Sequence, residues 1–338
     1  MSTARRVQCA LVLLAVIALA RAPLAQSVPI KLATVVPENS IWDRALKQMA
    51  ADWKQASGDR VALTVFSGGS QGDENTVLRK MRLDALQAAS LTVVGLGAID
   101  PAFNVFNVPF FFDSYDELNA VVERLTPTLR QRVEAKGFVL LNWGHGGWLQ
   151  VFTKRPVRTV ADLKSLKLYT SAGDDRMTQF YKANGYSPRA MAMTDILTGL
   201  TTGMIEGLPT PPVAALAFQW NRQTPYMLDI GLAPVVGATV INRKTWLRIP
   251  EADRTTLQAA ADAVEKRLQG DVPKQDALAM AMMQQQGLTV TKAEGPEWRK
   301  EAETLAATMR GEMVPRDIFD LAVKERDAFR QRKPPTAR

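Results

Sequence analysis

Gly68-Gly69-Ser70-Gln71-Gly72 matches G-x-S-x-G between a predicted strand and a predicted helix, the setting in which a serine nucleophile is held on a sharp turn. A serine there needs a base, and the sequence contains one histidine, His145. In hydrolases of that type the base histidine comes late in the chain, whereas more than half of this chain follows His145. The His-Gly-Gly of the Trp143–Trp148 segment also fits an oxyanion-hole pattern, but that pattern precedes the nucleophile, and one histidine cannot fill both roles. A secreted serine hydrolase acting through Ser70 is therefore the competing reading. The only cysteine is Cys9, so thiolate and histidine-rich metal sites have no ligand set; no metal and no cofactor is expected.

Binding without bond-making has other material. The segment Trp-Gly-His-Gly-Gly-Trp reads as a turn that brings Trp143, His145 and Trp148 together, with glycines that let a ligand or backbone approach closely. Thr92, Val93 and Gly95 fall just after a predicted strand, at the carboxyl end where open α/β sheets bind ligands. Trp220 and Trp246 read as core.

The elements that position these residues alternate. Ile30, Leu32 and Thr34 predict a strand, Trp42, Leu46, Met49 and Trp53 recur at helical spacing, and Val61, Leu63 and Val65 predict a second strand. Asn39 or Ser40 caps the helix, and Gly58-Asp59 supplies the turn before the strand. Helices around Glu74 to Leu86 and Tyr115 to Lys136 alternate with strands near Leu91 to Val94 and Phe138 to Trp143, which predicts an α/β fold with a mostly parallel sheet covered on both faces. From Glu251, Leu257, Ala261, Val264 and Leu268 mark a long helix that continues towards Gln286 with a kink at Pro273.

The amino terminus carries an address. Arg5, Arg6, an apolar run from Ala10 to Ala20 and small residues before position 28 read as a secretory signal peptide over residues 1–27, with an ordinary basic leading region preferred to a twin-arginine signal. The run is shorter than the roughly 17–25 residues that a membrane span needs. Cleavage is expected after Ala25 or Ser27. Losing Arg5, Arg6 and Arg21 takes the formal charge from +8 to +5, too mild to argue for nucleic acid. The remaining length exceeds what one hydrophobic core usually serves, so two lobes are expected.

The stretch from Ala161 to Ala215, with ADLKSLKLY and its sequel through GLPTPP, resembles the signature region of TRAP (tripartite ATP-independent periplasmic) transporter solute-binding proteins of the DctP type. In that family an ADLKGLK(I/L)R strand is followed by a helix, an SEVYTALQTG helix and a DGQENP turn that lines the cleft. Phe103 to Leu118 and Gly237 to Arg254 resemble further family segments. The resemblance implies a two-lobed periplasmic-binding-protein fold with a long bracing C-terminal helix. Residues 28–147 would form lobe I, 148–233 lobe II, 234–272 the return to lobe I and the start of the long helix, 273–325 helices packing across both lobes, and 326–338 a frayed basic tail. It also implies a soluble periplasmic receptor, expected to be monomeric, that closes on an organic acid by a hinge motion and delivers it to membrane permease subunits without making or breaking bonds. A receptor that signals through a membrane partner would look alike in sequence.

The chemistry departs from the family pattern. Tyr169 stands where a ligand-clamping arginine is expected, and Leu208, Pro209 and Thr210 stand where Gln, Glu and Asn are usual. A second family arginine maps near Trp148, Leu149 and Gln150 and is also missing. A phenol offers one neutral donor and an apolar ring in place of a charged, bidentate fork. The resemblance therefore places Tyr169, Thr170, Thr210 and Pro211 beside His145 and the two tryptophans in an aromatic-lined cleft suited to an aromatic or medium-chain acid. A small dicarboxylate or keto acid would need a relocated cation, for which His145, Lys154, Arg155, Lys167 and Arg176 are the nearby choices.

Overall fold

The computed structural model describes residues 27–332, so the leader, save Ser27, and residues 333–338 lie outside the described residues. The chain builds two sheets with helices on their faces. In lobe I, β1 (Val28–Thr34), β2 (Val61–Phe66), β3 (Ala88–Thr92), β4 (Phe138–Trp148) and β10 (Pro234–Asn242) are ordered β2-β1-β3-β10-β4. β1 is parallel to β2 and β3, whereas β10 runs antiparallel to both its neighbours. In lobe II, β5 (Gln150–Thr153), β6 (Lys167–Ser171), β7 (Ser187–Met191), β8 (Gly207–Thr210), β9 (Tyr226–Asp229) and β11 (Thr289–Lys292) are ordered β11-β9-β5-β8-β6-β7.

The predicted β-α-β opening is present. α1 (Ile41–Ala56) starts at Ser40, whose side chain accepts from the Asp43 N–H, and buries Leu46, Met49 and Trp53 on one stripe. Gly58 and Asp59 both take positive φ in the turn before β2. α2 (Glu74–Arg82) is shorter than read from the sequence, because Asp84 turns left-handed before the next strand.

The Trp-Gly-His-Gly-Gly-Trp segment is not a turn. It continues β4, antiparallel to β10, with one extra β4 residue near Leu141 and another near Gly146. The glycines serve close approach: a Cβ on Gly146 would lie 2.4 Å from Val235 Cγ1, and one on Gly147, at φ +102°, would lie 2.7 Å from Pro211 Cβ. Similarly, Gly207–Thr210 is strand β8 paired with β5, and the helix α8 (Pro212–Ala217) begins only after Pro211.

A single helix, α10 (Glu251–Gln285), joins the lobes and runs continuously through Pro273. Its Leu257, Ala261, Val264, Leu268 and Val272 pack with α1 and β1 in lobe I, whereas Met283 packs with Phe152 and Trp220 in lobe II. It also serves the first bulge of β4: Gln258 donates to the Leu141 carbonyl at 2.6 Å and Glu265 accepts from the Trp143 N–H at 2.9 Å. After β11, α11 (Pro296–Met309) packs against α5 (Val160–Lys164) of lobe II, and α12 (Arg316–Arg332) returns to α4 (Tyr115–Ala135) of lobe I. Residues 326–332 are thus the last turns of α12, not a frayed tail. Arg330 lies 2.8 Å from Asp113 and 2.9 Å from Glu117, and Arg326 sits over the Phe111 ring at 4.4 Å.

Candidate ligand-binding site

The carboxyl ends of β1, β2 and β3 point towards lobe II, and the space between the lobes is a cavity of about 580 Å³. Lobe I contributes the segment after β1, Gly68 and Gly69 after β2, Thr92 and Val93 at the start of α3 (Val93–Ile99), Asn142 with Gly144 to Gly146 of β4, and Val235 to Gly237 with Thr239 of β10. Lobe II contributes the end of β6 from Tyr169 onward, the segment after β7, Thr210 and Pro211 at the end of β8, and Phe218 with Trp220.

Of the expected site residues, Tyr169, Thr170, His145, Thr210, Pro211, Thr92 and Val93 line this cavity. Three do not. Trp143 projects from the opposite face of β4 into the core, between Phe103 and Phe106, with its Nε1 donating to Thr126 Oγ1 at 2.9 Å. Trp148 comes after the second bulge and packs edge-on against Tyr115 at 5.3 Å. Gly95 is turned inward: its N–H donates to Glu74 at 2.8 Å, and a Cβ there would meet Leu91 and Glu74.

Sequence reasoning missed other wall residues. Trp220, read as core, is buried in the lobe II core as expected and also lines the cavity with its ring stacked on Phe218 at 4.4 Å and 6°; Trp246 is core, 6.0 Å from Trp53. Trp42 also lines the wall and donates to the His145 carbonyl at 2.7 Å. Asn142, one residue before Trp143, faces the cavity because β4 alternates. The available signal was that alternation, provided the first bulge had been placed.

The electrostatics are one-sided. Asp73, Glu74 and Asp174 reach the wall, but among the described residues no lysine or arginine does. Each carboxylate already has donors: Asp73 caps α2 through Thr76 N–H, Asp174 caps α6 (Asp175–Ala183) through Met177 N–H, and Glu74 accepts from Thr92 N–H at 2.6 Å, Thr92 Oγ1 at 2.8 Å and Gly95 N–H. Burial raises Glu74 despite these bonds. Burial lifts Tyr169 to about 12, with the facing Glu74 charge adding to the rise. Burial likewise lowers His145 to about 4, so its ring is neutral at neutral pH.

Of the relocated cations considered above, His145 lines the cavity as a neutral ring and the other four are engaged elsewhere. Lys154 donates to the Leu200 carbonyl, Arg155 to Ser165, Lys167 to the Gly203 carbonyl and Arg176 to the Glu312 carbonyl. Gln150, at one missing-arginine position, accepts from the Ile230 and Gly231 N–H groups, and Leu149 lines the cavity as an apolar side chain. Two buried wall atoms, Asn142 Oδ1 and His145 Nε2, have no hydrogen-bond partner among the described residues. Each such atom costs about 1–3 kcal/mol until something satisfies it.

The serine-nucleophile geometry is not assembled. β2 ends at Phe66 and α2 begins at Glu74, so Ser70 sits in the middle of a loop, exposed to solvent and outside the cavity wall that holds His145. Among the described residues no cluster of His, Cys, Asp or Glu is placed to hold a metal, and no helix is long and apolar enough to cross a membrane.

Residues 32–312 match the family described as bacterial extracellular solute-binding protein, family 7. The chain belongs to this family. This family 7 protein is 24% identical to the C4-dicarboxylate-binding periplasmic protein DctP of Rhodobacter capsulatus, over 89% of its own chain and 90% of the relative. A TRAP periplasmic solute-binding protein from Pseudomonas putida F1 with bound D-glucuronate superposes with a TM-score of 0.80 at 22% identity, covering 89% of this chain and 97% of that one. Another from Ralstonia eutropha H16, with bound (S)-2-acetolactate, gives 0.83 at 21% identity, covering 89% and 99%. The two-lobed α/β architecture with its long C-terminal helix is that of these TRAP solute-binding proteins.

Proposed function

We propose that this solute-binding protein is the periplasmic receptor of a TRAP transporter for an organic acid with a large apolar or aromatic body, which it passes to membrane permease subunits. The observation that carries the reading is a cavity of about 580 Å³ between the lobes that has a stacked Phe218–Trp220 pair and Tyr169 in its wall and no cation. Each ion taken into such a space without a counter-charge costs several kcal/mol, and a dicarboxylate incurs that cost twice. A monocarboxylate incurs it once and recovers apolar burial, about 0.8 kcal/mol per methylene. The Nε2 of the neutral His145 ring is the unpartnered wall atom able to donate to its head group, whereas Asn142 Oδ1, whose amide nitrogen is already bonded to the Trp143 carbonyl, can only accept from a hydroxyl or other donor on the ligand. The R. capsulatus relative is named for C4-dicarboxylates and the P. putida structure holds a sugar acid, so the missing cation marks a divergence in ligand within a shared architecture.

The protein performs no chemistry on its ligand. The solvent-exposed position of Ser70 supports that reading. Release of nitrophenol from short-chain nitrophenyl esters, abolished by Ser70→Ala, would overturn it.

Ligand identity is tested by a thermal-shift screen of the mature protein against aromatic acids, medium-chain acids, small dicarboxylates and neutral hydrophobic compounds. A ligand at a hundredfold over its Kd adds about 2.7 kcal/mol of stability. Stabilisation by aromatic or medium-chain acids, reduced by Tyr169→Ala, is the expected result. A response confined to small dicarboxylates overturns the reading.

A further inference from the structure

Behind Tyr169, on the side away from the main cavity, lobe II contains a second and much smaller chamber of about 40 Å³. We propose that this chamber is a tail subsite, which takes the distal apolar end of the bound acid once the Tyr169 ring swings aside. The inference rests on the amphipathic-acid reading above and makes it specific: it assigns the part of the ligand farthest from its carboxyl group.

Three observations carry it. The chamber and the main cavity share walls, because Tyr169, Thr170, Tyr181 and Pro209 line both. Tyr169 is one panel of that shared wall, and a change of its rotamer is the step by which the proposal joins the two spaces. The remaining wall is mostly aliphatic, with Leu163 from α5, Leu168 from β6 and Leu305 from α11, and the Tyr186 ring completes it. Two polar side chains of its wall are already served: Thr170 Oγ1 bonds Thr178 Oγ1 at 3.0 Å, and Tyr186 Oη donates to Glu301 at 2.9 Å. Water entering such a space finds too few partners, so the chamber stays dry and forfeits packing until an apolar group fills it.

The residue at position 169 fits this role. An arginine there would set a permanent charge against a dry aliphatic space, which is costly without a partner. A tyrosine presents a ring that closes the chamber when it is empty and forms one side of the passage when it is occupied. The volume holds roughly two or three heavy atoms. Each methylene buried there tightens binding about fourfold, so filling the chamber amounts to roughly 15- to 60-fold.

The test is calorimetric titration of the mature protein with straight-chain monocarboxylates from butanoate to dodecanoate. Affinity is expected to rise with length until the chamber is full. Leu163→Phe, which occupies the chamber from α5, is expected to shorten the optimum by two or three carbons while leaving butanoate and hexanoate unchanged. Should that variant fold poorly, Leu305→Phe fills the same space from α11. Transferred contacts from the terminal methyl of bound decanoate to the methyls of Leu163, Leu168 and Leu305, read by NMR on the unaltered protein, give an answer without any substitution. Identical length profiles in filled and unaltered proteins, or bound decanoate without those contacts, overturn the subsite alone. Failure of every monocarboxylate to bind overturns the amphipathic-acid reading and the subsite with it.

Discussion

The two places where the lobes touch are built very differently. At the hinge, the crossing segments are bonded to each other, with Leu149 N–H to Ala233 O at 2.8 Å and Leu232 N–H to Leu149 O at 2.9 Å, and Gln150 holds two further N–H groups. Asp276 of the long helix adds bonds to Val213 N–H and Trp148 N–H on either side of the crossing. At the mouth, Asn75 of lobe I donates one hydrogen bond to the Gly173 carbonyl of lobe II at 2.8 Å, and Gly69 packs near Thr194. A single such bond is worth about 0.5–1.5 kcal/mol, well within what a ligand's differential affinity supplies. An opening of the lobes would therefore break the mouth and leave the hinge intact, and the fold is asymmetric about its own cavity.

Four substitutions break or sharpen that contrast. Trp148→Ala removes the buried ring that packs on Tyr115 beside the crossing and is expected to cost about 3–5 kcal/mol in urea unfolding. Gly146→Ala forces a Cβ to within 2.4 Å of Val235 Cγ1 across the bulge, and a loss of about 1–3 kcal/mol is expected by the same measurement. Asp276→Asn should act with the opposite sign. Burial raises this carboxyl from 3.8 to about 6 in the folded chain, so the folded state retains a proton through that window that the unfolded state has released. Stability then falls as pH rises from about 4 to 6, and the whole deficit is present above pH 6. The asparagine variant keeps an acceptor for Val213 and is expected to gain about 1–2 kcal/mol at pH 7 and none at pH 3. Asn75→Ala should leave unfolding nearly unchanged while weakening ligand binding by up to about tenfold, since it removes a bond made only between lobes. A large loss of stability with Asn75→Ala would erase the distinction between hinge and mouth.

Much of the architecture was legible because its signals are local. Ile30 and Leu32 alternate, Leu46, Met49 and Trp53 form one stripe, and the resemblance around Tyr169 carried the two-lobed plan. The carboxyl end of β3 was readable as cavity wall for the same reason. What escaped were features set by partners distant in sequence. Gly144-His145-Gly146-Gly147 looks like a turn, yet the missing side chains of Gly146 and Gly147 make room for Val235 and Pro211, far downstream. Each bulge in β4 shifts the inside–outside parity by one residue, which sent Trp143 and Trp148 into the core and Asn142 to the cavity. Trp220 looked like any buried tryptophan until Phe218 was found stacked on it in the wall.

The strand order of lobe I has a consequence for biogenesis. Among the described residues β4 pairs with no strand other than β10, and β10 is also the only link between β4 and the β2-β1-β3 group. All of β5 to β9 must be synthesised before the strand that completes the first sheet exists. A chain emerging amino terminus first thus holds lobe I as two unjoined parts while lobe II is already whole enough in sequence to collapse, apart from its edge strand β11. Long-range pairing of this kind is slow, because loop closure precedes its reward. The amino-terminal half therefore cannot lock into its final sheet ahead of the remainder.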